Sequence, residues 1–284
     1  MPITGAARLA GIMGWPVAHS RSPALHGFWL AAHGIDGAYV PLAVPPDRLE
    51  QALRALPALG FRGCNLTIPH KQAALAVMDR VDPFARRIGA MNTVVVAADG
   101  SLEGSNTDVF GFRENLREQA PDWDARSGPA VVLGGGGSAR SVVAALITAG
   151  VPEIHLVNRT AAHAEVLARD LAQPETRMTI RPWGDRAAAL RDAGILVNTT
   201  SLGMDKEPPL DLDLAALPIS AVVVDIVYVP LETGLLAAAR RRGHRVVDGL
   251  GMLLHQGRPG FEAWFGAAPR VTKALRAAML ATFE

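Results

Sequence analysis

Cysteine is almost absent from this chain: Cys64 is the only one in 284 residues, which excludes an internal disulfide and a cysteine-built metal cage and fits a reducing compartment. Neither sign of charge is in excess. Twenty-eight Lys and Arg stand against 27 Asp and Glu, for a net charge of +1, so no basic field is offered to nucleic acid. The densest basic cluster, Arg240-Arg241-Arg242, reads as the solvated end of a helix. Long hydrophobic runs are missing as well. No stretch of about twenty apolar residues suggests a membrane span, and Arg8 interrupts the first apolar segment where a secretory signal would stay apolar. His19 and His26 lack the i, i+4 spacing and the acidic partner of a zinc helix, and no metal is expected. These absences leave a cytoplasmic protein with a small-molecule partner, without nucleic acid or membrane; monomer and homodimer suit the composition equally.

What is present centres on residues 130–160. A β-branched run (Ala130-Val131-Val132-Leu133) enters Gly134-Gly135-Gly136-Gly137, a helix opens at Ser138, and a second strand over residues 154–157 ends in Asn158-Arg159-Thr160. Gly134, Gly136 and Ala139 fill the G-x-G-x-x-G/A spacing, in which glycine lets the backbone approach a pyrophosphate and the helix start offers free N–H groups. An enzyme preferring NAD usually ends the second strand in Asp or Glu, to accept from the ribose 2′-hydroxyl. Here Asn158 and Arg159 follow instead, and a guanidinium pairs with a 2′-phosphate, so the sequence predicts NADP.

The preceding residues predict a strand over 9–13, a helix with Ser22 as N-cap and Pro23 as its first residue, a strand over 39–43 and a helix over 45–56. Capping accounts for Ser22 but leaves Ser20 over, and the two hydroxyls together suit a carboxylate. Lys71 lies in the first turn of a helix after Pro69, where the macrodipole favours acids, so its charge is unfavourable unless something there needs it. Asn92 and Asn106, each near glycine, read as turn residues. A strand over 94–97 and a helix over 109–119 follow, and the domain boundary is placed near Asp108. Farther on the sequence predicts a helix over 161–172 and strands over 195–198, 222–225 and 245–247.

Several blocks, in order, resemble the motifs of the shikimate/quinate dehydrogenase family: Ser20-Arg21-Ser22-Pro23, Asn65-Leu66-Thr67-Ile68-Pro69-His70-Lys71, Gly89-Ala90-Met91-Asn92-Thr93 and Asn106-Thr107-Asp108. Gly134 to Ala139 and Asn158-Arg159-Thr160 continue the series. Asn198-Thr199-Thr200-Ser201-Leu202-Gly203-Met204, Asp225-Ile226-Val227-Tyr228 and Gly249-Leu250-Gly251-Met252-Leu253-Leu254-His255-Gln256 complete it. The resemblance implies an α/β enzyme of two domains separated by a cleft. A substrate domain would comprise residues 1–107, completed by C-terminal helices over 250–284, with a Rossmann-like NADP domain over 108–249. The implied reaction is the reversible NADPH-dependent reduction of 3-dehydroshikimate to shikimate, on the route to aromatic amino acids.

Carried over by position, the resemblance implies that Ser20 and Ser22 bind the substrate carboxylate, that Asn65, Thr67, Asn92, Tyr228 and Gln256 line the ring, and that Lys71 and Asp108 are the catalytic pair. Gly134, Gly135, Gly136, Gly137, Ser138 and Ala139 would hold the pyrophosphate; Asn158, Arg159, Thr160 and His163 the adenosine end; Thr200, Ile226, Gly249 and Met252 the nicotinamide side, with Met252 equally suited to core filling. A charged lysine fits as proton donor to the alkoxide that hydride transfer creates. Asp108 suits two roles, holding Lys71 charged or accepting from the hydroxyl beside the reacting carbon.

Three departures stand out. Gly27 follows His26 where relatives often carry Asn. His163 stands where a second basic residue is common, so a retained but reduced preference for NADPH, stronger at lower pH, is expected. Gly257-Arg258-Pro259-Gly260 replaces small apolar helix residues, which predicts a late start or a kink at Pro259. Two rival readings are an NAD-dependent quinate/shikimate dehydrogenase, opposed by Ser22 and Arg159, and a non-catalytic sensor of a dinucleotide and a small acid, opposed by Lys71 with Asp108.

Overall fold

Each half of the chain alternates short apolar runs with helical segments, and the computed structural model, which describes residues 3–283, resolves this alternation into two six-stranded sheets. The first half contains β1 (Arg8–Gly14), α1 (Ser22–Ala32), β2 (Gly37–Ala43), α2 (Leu49–Ala55), β3 (Phe61–Leu66), α3 (His70–Ala73), β4 (Arg80–Val81), α4 (Pro83–Ile88), β5 (Thr93–Val96) and β6 (Leu102–Ser105). Its sheet runs β2-β1-β3-β5-β6-β4. β1 is parallel to β2 and β3, whereas β3 with β5 and β5 with β6 are antiparallel. Leu49 and Leu53 of α2 pack with Cys64, Leu66, Met91, Val94 and Leu102 to form its core.

The second half contains α5 (Asp108–Gln119), β7 (Ala130–Leu133), α6 (Gly137–Thr148), β8 (Glu153–Asn158), α7 (Ala161–Asp170), β9 (Arg177–Pro182), β10 (Ile195–Asn198), β11 (Val222–Asp225), α8 (Gly234–Arg241) and β12 (Arg245–Val247), followed by α9 (Leu250–Phe265) and α10 (Lys273–Leu280). Its sheet, β12-β11-β10-β7-β8-β9, is parallel throughout. Burial on both faces explains why β7, β10 and β11 are nearly unbroken Val, Ile and Leu. Strand order reverses between β7 and β10, the place where an open parallel sheet leaves a crevice beyond its carboxyl ends. Contacts divide the chain into residues up to Thr107 together with those from Leu253 onward, and residues Asp108–Met252. Among the described residues no helix is long and apolar enough to cross a membrane.

Several boundaries differ from the sequence reading. α6 opens at Gly137 rather than Ser138, and α7 stops at Asp170. β4, β6 and β9 were not anticipated: β4 has two residues, and β9 is a half-exposed edge strand ending in Pro182, so none shows a buried apolar run. The late start expected near Pro259 is not seen: a single helix runs from Leu250 to Phe265 with the proline inside. Aromatic packing offsets the lost backbone bond. The Phe261 ring lies 5.4 Å from that of Trp29, and Trp264 Nε1 donates to the Val94 carbonyl at 2.9 Å. Gly257 is small because a Cβ there would stand 3.1 Å from both Leu25 and Trp29 of α1.

His26 of α1 is part of this aromatic seam. Its ring stacks on Tyr39 at 3.9 Å, lies edge-on to Trp29 at 5.5 Å, and finds no hydrogen-bond partner among the described residues. Burial therefore drives its pKa from 6.5 down to about 3. The unfolded chain takes up a proton near pH 6.5 that the folded chain refuses, so the contribution to stability is present above that pH and is lost as pH falls toward 3. Between pH 7 and pH 5 wild type is expected to lose about 2 kcal/mol that a His26→Phe variant keeps. Denaturant unfolding at both pH values measures this; parallel losses in the two proteins would contradict it.

Candidate functional site

Apolar strands run out at their carboxyl ends, and there the polar residues collect. After β1, the Ser20 hydroxyl accepts from the Ser22 amide at 3.3 Å, and α1 starts at Ser22 with Arg21 in the capping position. The expected capping role of Ser22 is thus corrected: Ser20 supplies the local acceptor, leaving Ser22 free to turn inward, where its hydroxyl hydrogen-bonds to the Tyr39 phenol. Tyr39 Oη donates to Asn65 Oδ1 at 2.6 Å, and burial holds the phenol well above its usual pKa of 10. Asn65 Nδ2 donates to the Asn92 carbonyl at 3.0 Å and to Thr93 Oγ1 at 3.2 Å.

Asn92 is the hub of this chain of bonds. Its Oδ1 accepts from the Thr107 amide at 2.7 Å, from Thr107 Oγ1 at 3.1 Å and from Thr93 Oγ1 at 3.2 Å, while its Nδ2 donates to Gln256 Oε1 at 3.0 Å. The expectation of a turn residue does not hold. Asn92 is 2% exposed and satisfies a strand end from which water is excluded. Asn106 donates to the Ala90 carbonyl at 2.9 Å. Ser22, Asn65, Asn92 and Gln256 are thereby joined, together with Tyr39, Thr93 and Thr107, which sequence reasoning missed. Thr67 follows β3 with its hydroxyl unbonded among the described residues, and the half-buried Lys71 is the second residue of α3, its carbonyl accepting from the Met91 amide at 2.8 Å.

A second polar group lines the carboxyl edge of the parallel sheet. Gly134 has φ +115°, and a Cβ on it would lie 2.5 Å from Thr199 Oγ1, so the turn after β7 and the loop after β10 touch at the point of strand reversal. Gly135 approaches Asn158 and His163: an added Cβ would stand 3.0 Å from Asn158 Nδ2 and 3.3 Å from His163 Cβ. Gly136 caps α6 with no side-chain capping bond, and a Cβ on it would meet open space. Gly137 and Ser138 begin the helix and Ala139 is buried beneath it. Asn158 Nδ2 donates to the Thr160 carbonyl at 2.8 Å, a bend that leaves Arg159 exposed and, among the described residues, without a carboxylate partner.

Thr200 donates through its amide and hydroxyl to Asn198 Oδ1 at 3.1 and 2.7 Å. Ile226 and the half-buried Tyr228 follow β11; Gly249 lies against the Ile226 carbonyl, where a Cβ would sit only 2.4 Å away; Met252 is buried near the start of α9. Asp108 is buried at the start of α5, where the helix dipole favours a carboxylate. No cluster able to hold a metal ion occurs among the described residues. Free amides at the α6 start beside an unpaired guanidinium suit a phosphorylated dinucleotide, and neutral hydroxyls and amides at the other edge suit a polyhydroxylated acid.

Two family models match the chain, one described as the shikimate dehydrogenase substrate binding domain over residues 12–94 and one as shikimate / quinate 5-dehydrogenase over residues 116–204. A relative from Rhodospirillum rubrum named shikimate dehydrogenase (NADP(+)) is 63% identical over 98% of this chain and 99% of its own length. The chain belongs to the shikimate/quinate dehydrogenase family. Among solved members of that family, the shikimate 5-dehydrogenase of Thermus thermophilus in complex with NADP(H) and shikimate is 38% identical, with a TM-score of 0.83 over 97% of this chain and 98% of that one. The quinate dehydrogenase of Corynebacterium glutamicum in complex with NAD is 32% identical, with a TM-score of 0.88 over 97% and 99%. The family resemblance read from the sequence blocks, and the two-domain α/β architecture it implied, are borne out by these matches.

The asparagine hub gives a direct stability test. Asn92→Ala strands the buried Thr107 amide and one of the Thr93 and Thr107 hydroxyls, which keep their 3.1 Å bond to each other, and is expected to lower unfolding free energy by about 2–4 kcal/mol at a cost of about 1–3 kcal/mol per unsatisfied group. A loss below about 1 kcal/mol in denaturant titration would contradict the hub role.

Proposed function

We propose that this chain is an NADP-dependent shikimate dehydrogenase that reversibly reduces 3-dehydroshikimate to shikimate on the route to chorismate, working in the cytoplasm as a monomer or homodimer. In this reading residues 1–107 with 250–284 bind the substrate, and residues 108–249 bind NADP. The observation that carries it, and that favours this activity over NAD-dependent quinate oxidation, is the end of β8: Asn158 in place of a carboxylate, and Arg159 exposed beside it without an acidic partner among the described residues.

The residues present suit the dinucleotide. Gly136 leaves open space where a side chain would block a pyrophosphate, and the α6 amides have no side-chain cap competing for them. NADPH, when bound, supplies a hydride to the ketone carbon. Lys71 gives its ammonium proton to the oxygen as the carbonyl bond opens, so the new C–H and O–H bonds together yield the alcohol, and the neutral amine regains a proton from water. Asp108 accepts from the neighbouring hydroxyl. Ser20 and Ser22 bind the substrate carboxylate, Ser22 turning its proton away from Tyr39 to do so. Asn65, Asn92, Thr67, Gln256 and Tyr228 fix the ring, with the first two already held rigid by their own hydrogen bonds.

Steady-state oxidation of shikimate and of quinate with NADP+ and NAD+ tests the assignment. Wild type is expected to be fastest with shikimate and NADP+. Arg159→Ala is expected to lower kcat/KM for NADP+ by roughly 10- to 100-fold, the range of a charge-assisted hydrogen bond, and to leave NAD+ nearly unchanged. Equal losses with both cofactors would refute the role of Arg159; preference for quinate with NAD+ would refute the activity.

A further inference from the structure

β10 and β11 are apolar until their last residues, which are Asn198 and Asp225, paired in register and without solvent exposure. Asn198 Nδ2 donates to Asp225 Oδ1 at 3.0 Å and to the Leu202 carbonyl at 3.2 Å, while its Oδ1 accepts both bonds from Thr200. Asp225 Oδ1 also accepts from the Val227 amide at 3.0 Å, and its Oδ2 from Thr233 Oγ1 at 2.7 Å. Thr233 in turn caps α8, its hydroxyl accepting from the Leu236 amide at 3.3 Å. One carboxylate therefore ties together the loop after β10, the loop after β11 and the start of α8. Backbone bonds reinforce the join: the Ile226 amide reaches the Asn198 carbonyl at 3.1 Å, and the Asp205 amide reaches the Val229 carbonyl at 2.9 Å.

A buried acid is a costly way to fasten two loops. Desolvation pushes Asp225 from 3.8 up to about 6, and the groups that oppose this shift, Thr233, Val227 and Asn198, are all neutral donors. No charged side chain on the packed elements contributes. What a carboxylate offers over an amide is that it only accepts, so each of its three partners must donate and a single arrangement of the loops results. An asparagine in its place would turn a donor toward Thr233 or toward the Asn198 amide.

We propose that Asp225 is a positioning residue for the nicotinamide end of the cofactor, acting through Asn198 and Val227 to set where Thr200 and Ile226 stand. Asp225 itself touches no ligand. The inference rests on the proposed function, which assigns the β10 and β11 loops to the nicotinamide side and the turn after β7 to the pyrophosphate.

Two probes divide these regions. NADP+ spans both, whereas adenosine 2′,5′-bisphosphate lacks the nicotinamide half and needs only the region around Arg159 and the glycine turn. Calorimetric titration of wild type, Asp225→Asn and the milder Thr233→Val, beside thermal unfolding and kcat with shikimate, is the test. Asp225→Asn is expected to weaken NADP+ binding about tenfold and to lower kcat, with bisphosphate binding within about twofold of wild type and Thr233→Val in between. Equal weakening of both probes would mean general loosening of the domain and would overturn the inference, as would unchanged NADP+ binding and kcat in a folded Asp225→Asn protein. If Asp225→Asn does not fold, Thr233→Val decides by the same comparison. Failure of wild type to bind either probe would instead overturn the functional reading beneath it.

Discussion

A strand buried on both faces has nowhere to send the polar groups at its carboxyl end, and the rest of this structure depends on how those ends are satisfied without water. An unmet buried donor or acceptor costs about 1–3 kcal/mol, against a net gain of about 1 kcal/mol for a bond that is made, so the penalty for leaving one open is what dictates the arrangement. Asn65 near the carboxyl end of β3 and Asn92 just before the antiparallel β5 satisfy one such edge; Asn198 and Asp225 close β10 and β11. In both sheets the solution is a short side chain whose every bond is directed.

This solution separates fixed groups from available ones. Asn92 is held by Thr93, Thr107 and Gln256, and Asn65 by Tyr39, Thr93 and the Asn92 carbonyl, so their geometry exists before any ligand arrives. Arg159 and the Thr67 hydroxyl carry unmet capacity among the described residues, and they stand beside the fixed groups of their own sheets. Recognition of this kind gains affinity and specificity because little ordering remains to be done on binding. The buried seam of His26, Tyr39, Trp29 and Phe261 supports it from below, since Tyr39 is at once a packing ring and a link between Ser22 and Asn65.

Much of this was legible in the sequence, for reasons that differ by element. The strand, turn and helix around Gly134 were readable because a β-branched run, spaced glycines and a helix start coincide, and β10, β11 and β12 fell on the expected residues because each is a short apolar run bounded by a polar residue. β4 and β9 were not, since they are half-exposed edge strands without a buried run, and β6 was not, since its four residues hold only one large apolar side chain, Leu102. Pro259 did not delay the helix start, because the residues before it are already packed as helix from Leu250 onward. Ser22 misled because the helix opens one residue earlier than a Ser22 cap requires, so that Ser22 is already helical and its own amide donates to the Ser20 hydroxyl. Tyr39 gave no signal at all, its partners being distant in sequence. Asn198 and Asp225 did give one: each is the single polar residue closing an apolar strand, a pattern that asks what lies beyond the strand end.

In the proposed reaction Lys71 supplies the proton that completes reduction of the ketone. The most direct measurement is the single-turnover rate of NADPH consumption with 3-dehydroshikimate in wild type and Lys71→Ala, with the affinity of each protein for NADPH and shikimate determined alongside. The Lys71→Ala rate is expected to be lower by about 10²- to 10⁴-fold with both affinities nearly retained. A rate within a few fold of wild type, or a loss explained wholly by weaker binding, would contradict it.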